Sequence, residues 1–282
     1  MPFFQDLLSL QKGINREVAR FFNRKIKEAT AAHEKEILGW LREYSLRPAK
    51  RIRAVLVNYG YFLAGGKDKE AILEASIFIE LIHNYLLIHD DIIDKDEMRR
   101  GKKSLHSVRG SDVAIVVGDM ASALGYEALD SAAFPVKNRA PALAKLNKVL
   151  YATGYGQILD LFLREKIKSG KKVNDKEVLD VYKKKTAFYT IVAPLQIGAI
   201  LAGAGKNFLE KIEKFALPLG MAFQIKDDLQ DGDIDKIFGL DRLKYQKMQE
   251  KLITVAQRIL KEERAFPQKE KEFLLNLAEQ LK

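Results

Sequence analysis

Residues 80–94 read ELIHNYLLIHDDIID, an apolar run that ends in three aspartates, Asp90, Asp91 and Asp94. Its apolar side chains recur at spacings of three and four, which is the period of a helix. Residues four apart share a helix face, so Asp90 and Asp94 point the same way. Carboxylates crowded on an apolar helix repel one another unless a cation or a basic group lies between them. The stretch therefore predicts a long helix with a cation site at its end.

The helical pattern extends over almost the whole chain, and strand-like alternation is hard to find. The helix through the aspartates starts at about residue 68, after Gly65 closes its predecessor and Asp68 opens it, and at 1.5 Å per residue it would be roughly 40 Å long. A helix of that length requires a large bundle. No linker or repeat divides the chain, so we predict one all-α domain, residues 1–282. Further helices are expected at about 3–27, 30–45, 49–64, 111–131, 139–168, 174–204, 206–231, 243–263 and 268–281.

Composition narrows the class of protein. The chain has 282 residues and no cysteine, which excludes disulfides, thiolate metal sites and cysteine nucleophiles. Its start resembles no signal peptide, and no apolar run reaches the ~20 residues of a membrane-spanning helix. We therefore expect a soluble, cytoplasmic protein. A net charge of +10 attracts anions. Nucleic acid is one candidate, but the basic residues are scattered, and small phosphorylated substrates or an anionic membrane surface explain the charge equally well.

A second carboxylate cluster lies in FQIKDDLQD, residues 223–231. Gln224, Asp227 and Asp231 fall on one helical stripe. Two such helices facing each other across a cavity would offer oxygen ligands from both sides. Oxygen ligands shared with substrate phosphates suit Mg²⁺, whereas Zn²⁺ is disfavoured by the absence of cysteine. The alternative for each cluster is a solvated helix end, and the presence of two clusters, each followed by a polar or basic loop, argues against it.

Basic residues accompany both clusters. Lys50 and Arg53 are three apart in a helix predicted to open there, near an N-terminus that favours anions. Two separated basic groups suggest two anionic substrates, because arginine and lysine hold phosphate oxygens. Arg51, Lys183 and Lys184 are expected to be solvated surface charges. The other candidate cations are Arg99, Arg100, Lys185 and Lys236.

Between about residues 45 and 236 the motifs follow a familiar order. They read RPAKRIR, ELIHNYLLIHDDIIDKDEMRRGKKSLH, VVGDM, GQILDL, YKKKTAFY and FQIKDDLQD. In this order they resemble the trans-isoprenyl diphosphate synthases (the polyprenyl synthetase family), in particular the short-chain farnesyl and geranylgeranyl types. The resemblance implies long antiparallel helices around a central cavity, and a homodimer, with a heteromer as the alternative.

The resemblance also implies roles for individual residues. It implies that Mg²⁺ is held by Asp90, Asp94 and Asp227, supported by Asp91, Asp228 and Asp231, with Gln157 and Asp160 nearby. It implies that isopentenyl diphosphate is held by Lys50, Arg53, His83 and Arg100. It implies that the allylic diphosphate (dimethylallyl, geranyl or farnesyl) is held by Arg99, Lys185 and Lys236, with Thr186 and Gln224 facing the reacting carbons. The reaction implied is Mg²⁺-dependent head-to-tail condensation.

The length of the product is suggested by the helix before the first cluster. Tyr85 lies five residues before Asp90, about 7.5 Å along the axis. By resemblance an aromatic here forms the floor of the product pocket in short-chain synthases. Leu86 beside it is not aromatic, so the floor is only partly blocked, and Ile82 and Phe78 would cap a longer product. We expect C20, with C15 as the alternative, or else an ordinary core role for Tyr85.

Two departures from the family pattern keep other functions open. Pro48 and Ala49 replace the glycines that usually precede the first lysine. After Asp231 the chain reads GDIDKIFGLDR, and relative to the family pattern it is shortened beyond residue 240. The shortening motivates a second hypothesis, a non-catalytic or regulatory subunit of a heteromeric synthase. A third is a terpene synthase that ionises one allylic substrate, against which Lys50, Arg53 and His83 argue.

Overall fold

The structure, a computed structural model, describes residues 2–282 except for the side chains of Pro2, Asp235 and Lys236. The prediction of an all-α protein is confirmed, since 81% of the chain is helical and 1% is strand. The chain packs as two compact units. The first comprises residues up to Asn58 together with Asp68–Arg139, and the second comprises Tyr59–Lys67 and Ala140–Lys282.

The helices follow one another with short connections. In the first half they are α1 (Pro2–Glu28), α2 (Ala32–Leu46), α3 (Ile52–Leu63), α4 (Lys69–Ala75), α5 (Ile77–Asp94), α6 (Leu105–Arg109) and α7 (Ser111–Asp130). In the second half they are α8 (Val136–Lys168), α9 (Asp175–Val181), a π-helix (Tyr182–Val192), α10 (Ala193–Leu201), α11 (Lys206–Asp231), α12 (Asp233–Lys236), α13 (Arg242–Glu262) and α14 (Gln268–Glu279). Two strands, β1 (Met98–Arg99) and β2 (Lys102–Lys103), pair antiparallel.

Local sequence explains several helix ends. Gly65 adopts φ +82 after α3, and the Asp68 carboxylate caps α4 by accepting from the Ala71 amide at 2.9 Å, as predicted. The predicted continuous helix 68–94 is wrong in one respect, because a turn at Ser76 separates α4 from α5. The Ser76 hydroxyl is buried and donates to the Leu73 carbonyl at 2.8 Å, so it competes with the helical bonding of the backbone.

In the first unit, α5 packs along α7, while α1 packs against α2. Ile82 of α5 meets α7 at Gly125, where a Cβ would lie 2.7 Å from the Ile82 side chain. Phe22 and Phe78 are fully buried, and burying each such side chain contributes about 2–3 kcal/mol. The long apolar stretch Lys69–Asp94 reaches the length and mean hydropathy, 1.6, of a membrane-spanning helix, but 61% of its most apolar window is buried. The expectation that no apolar run reaches that length is therefore wrong for this stretch, although most of its window is buried in the core.

In the second unit, α11 packs against both α13 and the π-helix, and α9 and α10 flank the π-helix. A core of aliphatic and aromatic side chains holds these elements together. It includes Leu163, Val178, Tyr182, Ile225, Leu229, Phe238 and Tyr245. The capping box of Asn174 and Glu177 fixes the start of α9, which leads directly into the π-helix.

Candidate active site

The first aspartate cluster lies at the end of α5 in the first unit. Asp90 is half-buried, and Asp94, four residues later on the same helical side, is exposed. Asp94 is the last helical residue, because Lys95 takes a left-handed conformation with φ +58. The end of α5 thus presents two carboxylates one turn apart, as the sequence predicts.

Asp91, the middle aspartate, is fully buried. The Tyr44 hydroxyl donates to its Oδ2 at 3.1 Å and the Arg99 Nε donates to its Oδ1 at 2.5 Å. Burial raises the pKa of Asp91 and the Arg99 guanidinium opposes that rise. In this arrangement Asp91 ties α5 to Tyr44 of α2 and to Arg99, and its assignment as a magnesium ligand stays a prediction.

The segment after α5 is not the irregular basic loop that the sequence suggested but a short hairpin followed by α6. Arg100 and Gly101 turn between β1 and β2 with φ of +55 and +77, the signs that a type I′ turn requires. The Arg47 guanidinium holds the hairpin by donating to the Arg99 and Lys103 carbonyls at 3.3 and 3.0 Å. This hairpin places Arg99 beside Asp91 near the end of α5, and Arg100 follows Arg99 directly in the turn.

Arg53 of α3 and His83 of α5 meet at 3.1 Å, from guanidinium Nη1 to imidazole Nε2. Burial, and then the positive charges of Arg53 and Arg100, hold the pKa of His83 well below its usual range, so the ring is neutral at pH 7. Burial likewise lowers the pKa of Arg100. Its Nη1 is buried and has no hydrogen-bond partner among the described residues. Arg53 and Arg100, with the neutral His83 between them, thus form a partly buried cationic set, and its assignment to isopentenyl diphosphate stays a prediction.

Two sequence expectations about the neighbouring basic residues are wrong. Arg51 is not a surface charge: its side chain is buried and pairs with Glu80 at 3.0 Å. It also donates to Asn15 Oδ1 at 2.8 Å and to the Arg47 carbonyl at 3.0 Å. Lys50 does not share a helix face with Arg53, because α3 begins only at Ile52 and Arg51 before it has φ +54. Lys50 is exposed, and its binding role stays a prediction.

The second aspartate cluster lies at the end of α11 in the second unit. Asp227 is half-buried and Asp231 is exposed. Asp228 is buried, accepts from the Gln224 amide at 2.6 Å and accepts from the Tyr182 hydroxyl. Burial raises the pKa of Asp228 to about 6. The Gln224 amide is therefore engaged with Asp228, one turn further along α11.

Lys185 and Thr186 lie on the π-helix and are half-buried. The Lys185 ammonium donates to Asp160 Oδ2 of α8 at 2.7 Å, and Arg164 lies 3.4 Å from the same oxygen. Asp160 is 5% exposed, so its carboxylate holds Lys185 from within the unit. Gln157, three residues before Asp160, is half-buried on α8. The Lys236 side chain lies outside the described residues.

The residues assigned to product length lie on α5. Tyr85 is half-buried, and its ring meets the His89 ring edge-on at 4.8 Å between centroids. Leu86 is half-buried, whereas Ile82 and Phe78 are fully buried. The sequence reading missed the tyrosines beneath the two clusters and the glycines that let neighbouring helices approach. No motif distinguishes Tyr44 or Tyr182 from ordinary core tyrosines.

Solved structures share this all-α fold over nearly the whole chain. The geranylgeranyl pyrophosphate synthetase from the archaeon Geoglobus acetivorans superposes with a TM-score of 0.81 at 26% identity, covering 96% of this chain and 98% of the other. A geranylgeranyl pyrophosphate synthase from Corynebacterium glutamicum, complexed with isoprenyl diphosphate and magnesium, superposes with a TM-score of 0.85. At 21% identity, covering 98% of both chains, it shows the fold alone. The fold is that of the isoprenyl diphosphate synthases.

Sequence comparison gives the family. Residues 35–248 match the family described as polyprenyl synthetase, so the chain belongs to that family. It is 34% identical over 239 residues to a geranylgeranyl pyrophosphate synthase of Geoglobus acetivorans, covering 83% of this chain and 73% of the relative. It is 37% identical over 190 residues to a short chain isoprenyl diphosphate synthase of Methanocaldococcus jannaschii, covering 67% of this chain and 56% of that relative. The family predicted from the motifs is confirmed, and with it the enzyme class, a prenyltransferase.

Proposed function

We propose that this protein condenses isopentenyl diphosphate with an allylic diphosphate, head to tail, and releases diphosphate. The partly buried cationic set carries the proposal. Arg53 and Arg100 flank a neutral His83, and the buried Arg100 Nη1 has no hydrogen-bond partner in the described part of the chain. An unpaired cationic nitrogen costs free energy unless an anion binds there. A diphosphate supplies both the charge and the acceptor oxygens.

The aspartate clusters fit magnesium. Within the described residues no three carboxylate or imidazole side chains converge on a ready-made metal site. Mg²⁺ usually takes one or two carboxylates and completes its shell with water and substrate phosphates, so it does not require such a group. Asp90 and Asp94, one turn apart at the end of α5, and Asp227 of α11 would hold it. When bound, the ion neutralises charge on the leaving diphosphate.

The protein's own side chains perform the remaining electrostatic work. Arg53 and Arg100 bind the isopentenyl diphosphate, and Arg100 gains its missing acceptor. We assign Arg99, which Asp91 orients, and Lys185, which Asp160 orients, to the allylic diphosphate. Donors that are already oriented stabilise growing negative charge without reorganisation when the bond breaks.

The reaction balances without a protein nucleophile. The allylic C1–O bond breaks, its electron pair leaves with diphosphate, and the isopentenyl double bond attacks C1. A proton is then lost to the released diphosphate, and a new double bond forms. Apolar walls protect the allylic cation from water. We propose that the product is C20, with C15 as the alternative, and that Tyr85 forms the floor of the product pocket.

We further propose a homodimer in the cytoplasm. Exposed apolar side chains along α8 support the dimer, since Tyr151 is 81% exposed and Phe162 is 61% exposed. Contiguous exposed apolar surface marks interaction sites.

The test supplies pure protein with Mg²⁺, isopentenyl diphosphate and each of dimethylallyl, geranyl and farnesyl diphosphate, and then sizes the products by chromatography. Elongated prenyl diphosphates that need both substrates support the proposal. Turnover that appears only when a second subunit is added would favour a regulatory role. A hydrocarbon formed from an allylic diphosphate alone would favour a terpene synthase.

A further inference from the structure

The π-helix Tyr182–Val192 contains Lys185, which is assigned to the allylic diphosphate, and a π-helix of this length is unusual. π-Helices bond residue i to i+5, are wider than α-helices, and occur mostly as single turns at functional sites. Here eleven residues take this form, and Lys185 and Thr186 lie within it. A wide helix needs neighbours that leave it space, and two glycines on the adjoining helices provide that space.

Gly156 of α8 is the first of these glycines. A Cβ there would lie 2.4 Å from the backbone nitrogen of Lys185 and 2.8 Å from its Cα. Side chains do not tolerate such distances, and backbone atoms cannot move aside cheaply. The absence of a side chain at residue 156 therefore allows α8 to touch the backbone of the lysine itself.

Gly220 of α11 is the second. A Cβ there would lie 2.8 Å from the Ala187 Cα and 2.9 Å from the Ala187 carbonyl oxygen. Ala187 follows Thr186 directly. Two different helices therefore contact the backbone of the π-helix within three residues, on either side of Thr186 in the sequence.

Each glycine is followed one turn later by a polar residue on the same helix face. Four residues after Gly156, Asp160 accepts from the Lys185 ammonium at 2.7 Å. Four residues after Gly220, Gln224 donates to Asp228, which in turn accepts from Tyr182 at the start of the π-helix. On both α8 and α11, the helix face whose glycine approaches the backbone of the π-helix thus also carries a polar side chain that is hydrogen-bonded near it.

From this geometry we infer that Gly156 and Gly220 are positioning residues for the reaction. By admitting the π-helix backbone they set where Lys185 and Thr186 stand toward the allylic diphosphate. The inference rests on the proposed function for its substrate. The residues assigned to isopentenyl diphosphate, Arg53, His83 and Arg100, belong to the first unit, whereas both glycines belong to the second.

The test is Gly156→Ala, with Gly154→Ala as the matched control. Gly154 lies on the same helix two residues earlier, and a Cβ there meets nothing within 4 Å. An alanine at residue 156 must displace the π-helix by about 1 Å, and a misplacement of that size can cost on the order of 10²-fold in rate. We expect a fall of that order in kcat/KM for the allylic substrate. The KM for isopentenyl diphosphate should stay near the control value, whereas the unfolding midpoint should fall below that of the control while the variant still folds.

Gly220→Ala approaches the same segment from α11 and should reproduce this pattern. Gly156→Ala kinetics equal to those of Gly154→Ala would overturn the inference. So would an equal rise in KM for both substrates, or failure of both variants to fold, because each would make the glycines requirements of the core alone.

A crystal structure of Gly156→Ala separates this inference from the proposed function. The inference predicts that the 2.7 Å contact between Lys185 and Asp160 is lost, whatever the wild-type enzyme turns over. An unchanged contact would refute the positioning role. A wild type that is inactive on every primer would instead refute the proposed function.

Discussion

Arg51 and Arg100 have a left-handed backbone conformation, which residues other than glycine rarely adopt. Their φ values are +54 and +55, which for a residue other than glycine costs roughly 1–2 kcal/mol. Glycine would relieve that strain at both positions but would remove the guanidinium group. The Arg51 guanidinium pairs with buried Glu80, whereas Arg100 keeps one buried nitrogen without a partner among the described residues. Strain of this kind collects at functional sites.

Replacing Arg100 by methionine should raise the KM for isopentenyl diphosphate. A hydrogen bond to a charged group is worth about 1.5–3 kcal/mol, which corresponds to roughly 10- to 150-fold. The measurement is steady-state kinetics with the allylic substrate saturating. Lys103→Met, which removes an exposed charge from the same hairpin, is the control. If both variants raise the KM for isopentenyl diphosphate equally, the partly buried cationic set has no specific role.

His83 should make folding stability depend on pH. The unfolded imidazole takes up a proton near pH 6.5, whereas the folded ring stays neutral well below that value. The unfolded state therefore binds more protons below pH 6.5, and the free energy of unfolding falls as the pH falls, by up to about 1.4 kcal/mol per pH unit. The free energy of unfolding of His83→Gln, measured by urea unfolding between pH 7.5 and 5, should lack this dependence on pH. His33→Gln, which removes a 95%-exposed ring, is the control.

At the residue scale, the sequence predicted the candidate site residues better than it predicted their hydrogen-bond partners. Asp90 and Asp94 follow from helix periodicity alone. The middle aspartates do not, because Asp91 and Asp228 are buried beneath tyrosines about 46 residues away in sequence. Such long-range partners depend on tertiary packing, which a local pattern does not record.

At the scale of elements, α5 carries both the first cluster and the residues assigned to product length. Tyr85→Ala should lengthen the products, because it removes the proposed floor while Ile82 and Phe78 remain buried further along the helix. Leu86→Ala should have a smaller effect. The measurement is chromatography of the dephosphorylated products. Product lengths identical to those of the wild type would leave Tyr85 as a core aromatic.

Local sequence predicted the positions of most helices but not two irregularities. The turn at Ser76 interrupts a stretch whose apolar spacing is continuous, and the buried Ser76 hydroxyl donates to the Leu73 carbonyl there. In the sequence, the residues of the π-helix continue an ordinary α-helical pattern that starts at Asn174, so nothing in the pattern marks the change of helix type. Gly156 and Gly220, which approach its backbone, lie on other helices, and a local pattern does not record such contacts.

At the scale of the whole molecule, α8 presents an apolar seam. Tyr151, Tyr155, Ile158 and Phe162 are all at least 47% exposed and follow the spacing 4, 3, 4, as in paired helices. We predict that Ile158→Glu converts a dimer to a monomer, measured by light scattering after size-exclusion chromatography. Val136→Glu, at a 66%-exposed position in the first turn of the same helix, should leave the mass unchanged. A wild type that is monomeric at all concentrations would contradict the dimer.

The all-α fold and the family could both be read from the sequence, because the helical period and the order of the motifs are local properties. The single-domain prediction and the shortening after residue 240 stay predictions, as does the role of Lys236. The further helices α12, α13 and α14 follow Asp231 within the second unit.

The central claim is a two-substrate condensation, and its most direct test is mass spectrometry of the product made from ¹³C-labelled isopentenyl diphosphate and unlabelled farnesyl diphosphate with Mg²⁺. The account predicts a C20 diphosphate that carries one labelled five-carbon unit, and no product when either substrate is omitted. An unlabelled product, or no product with any allylic primer, would contradict it.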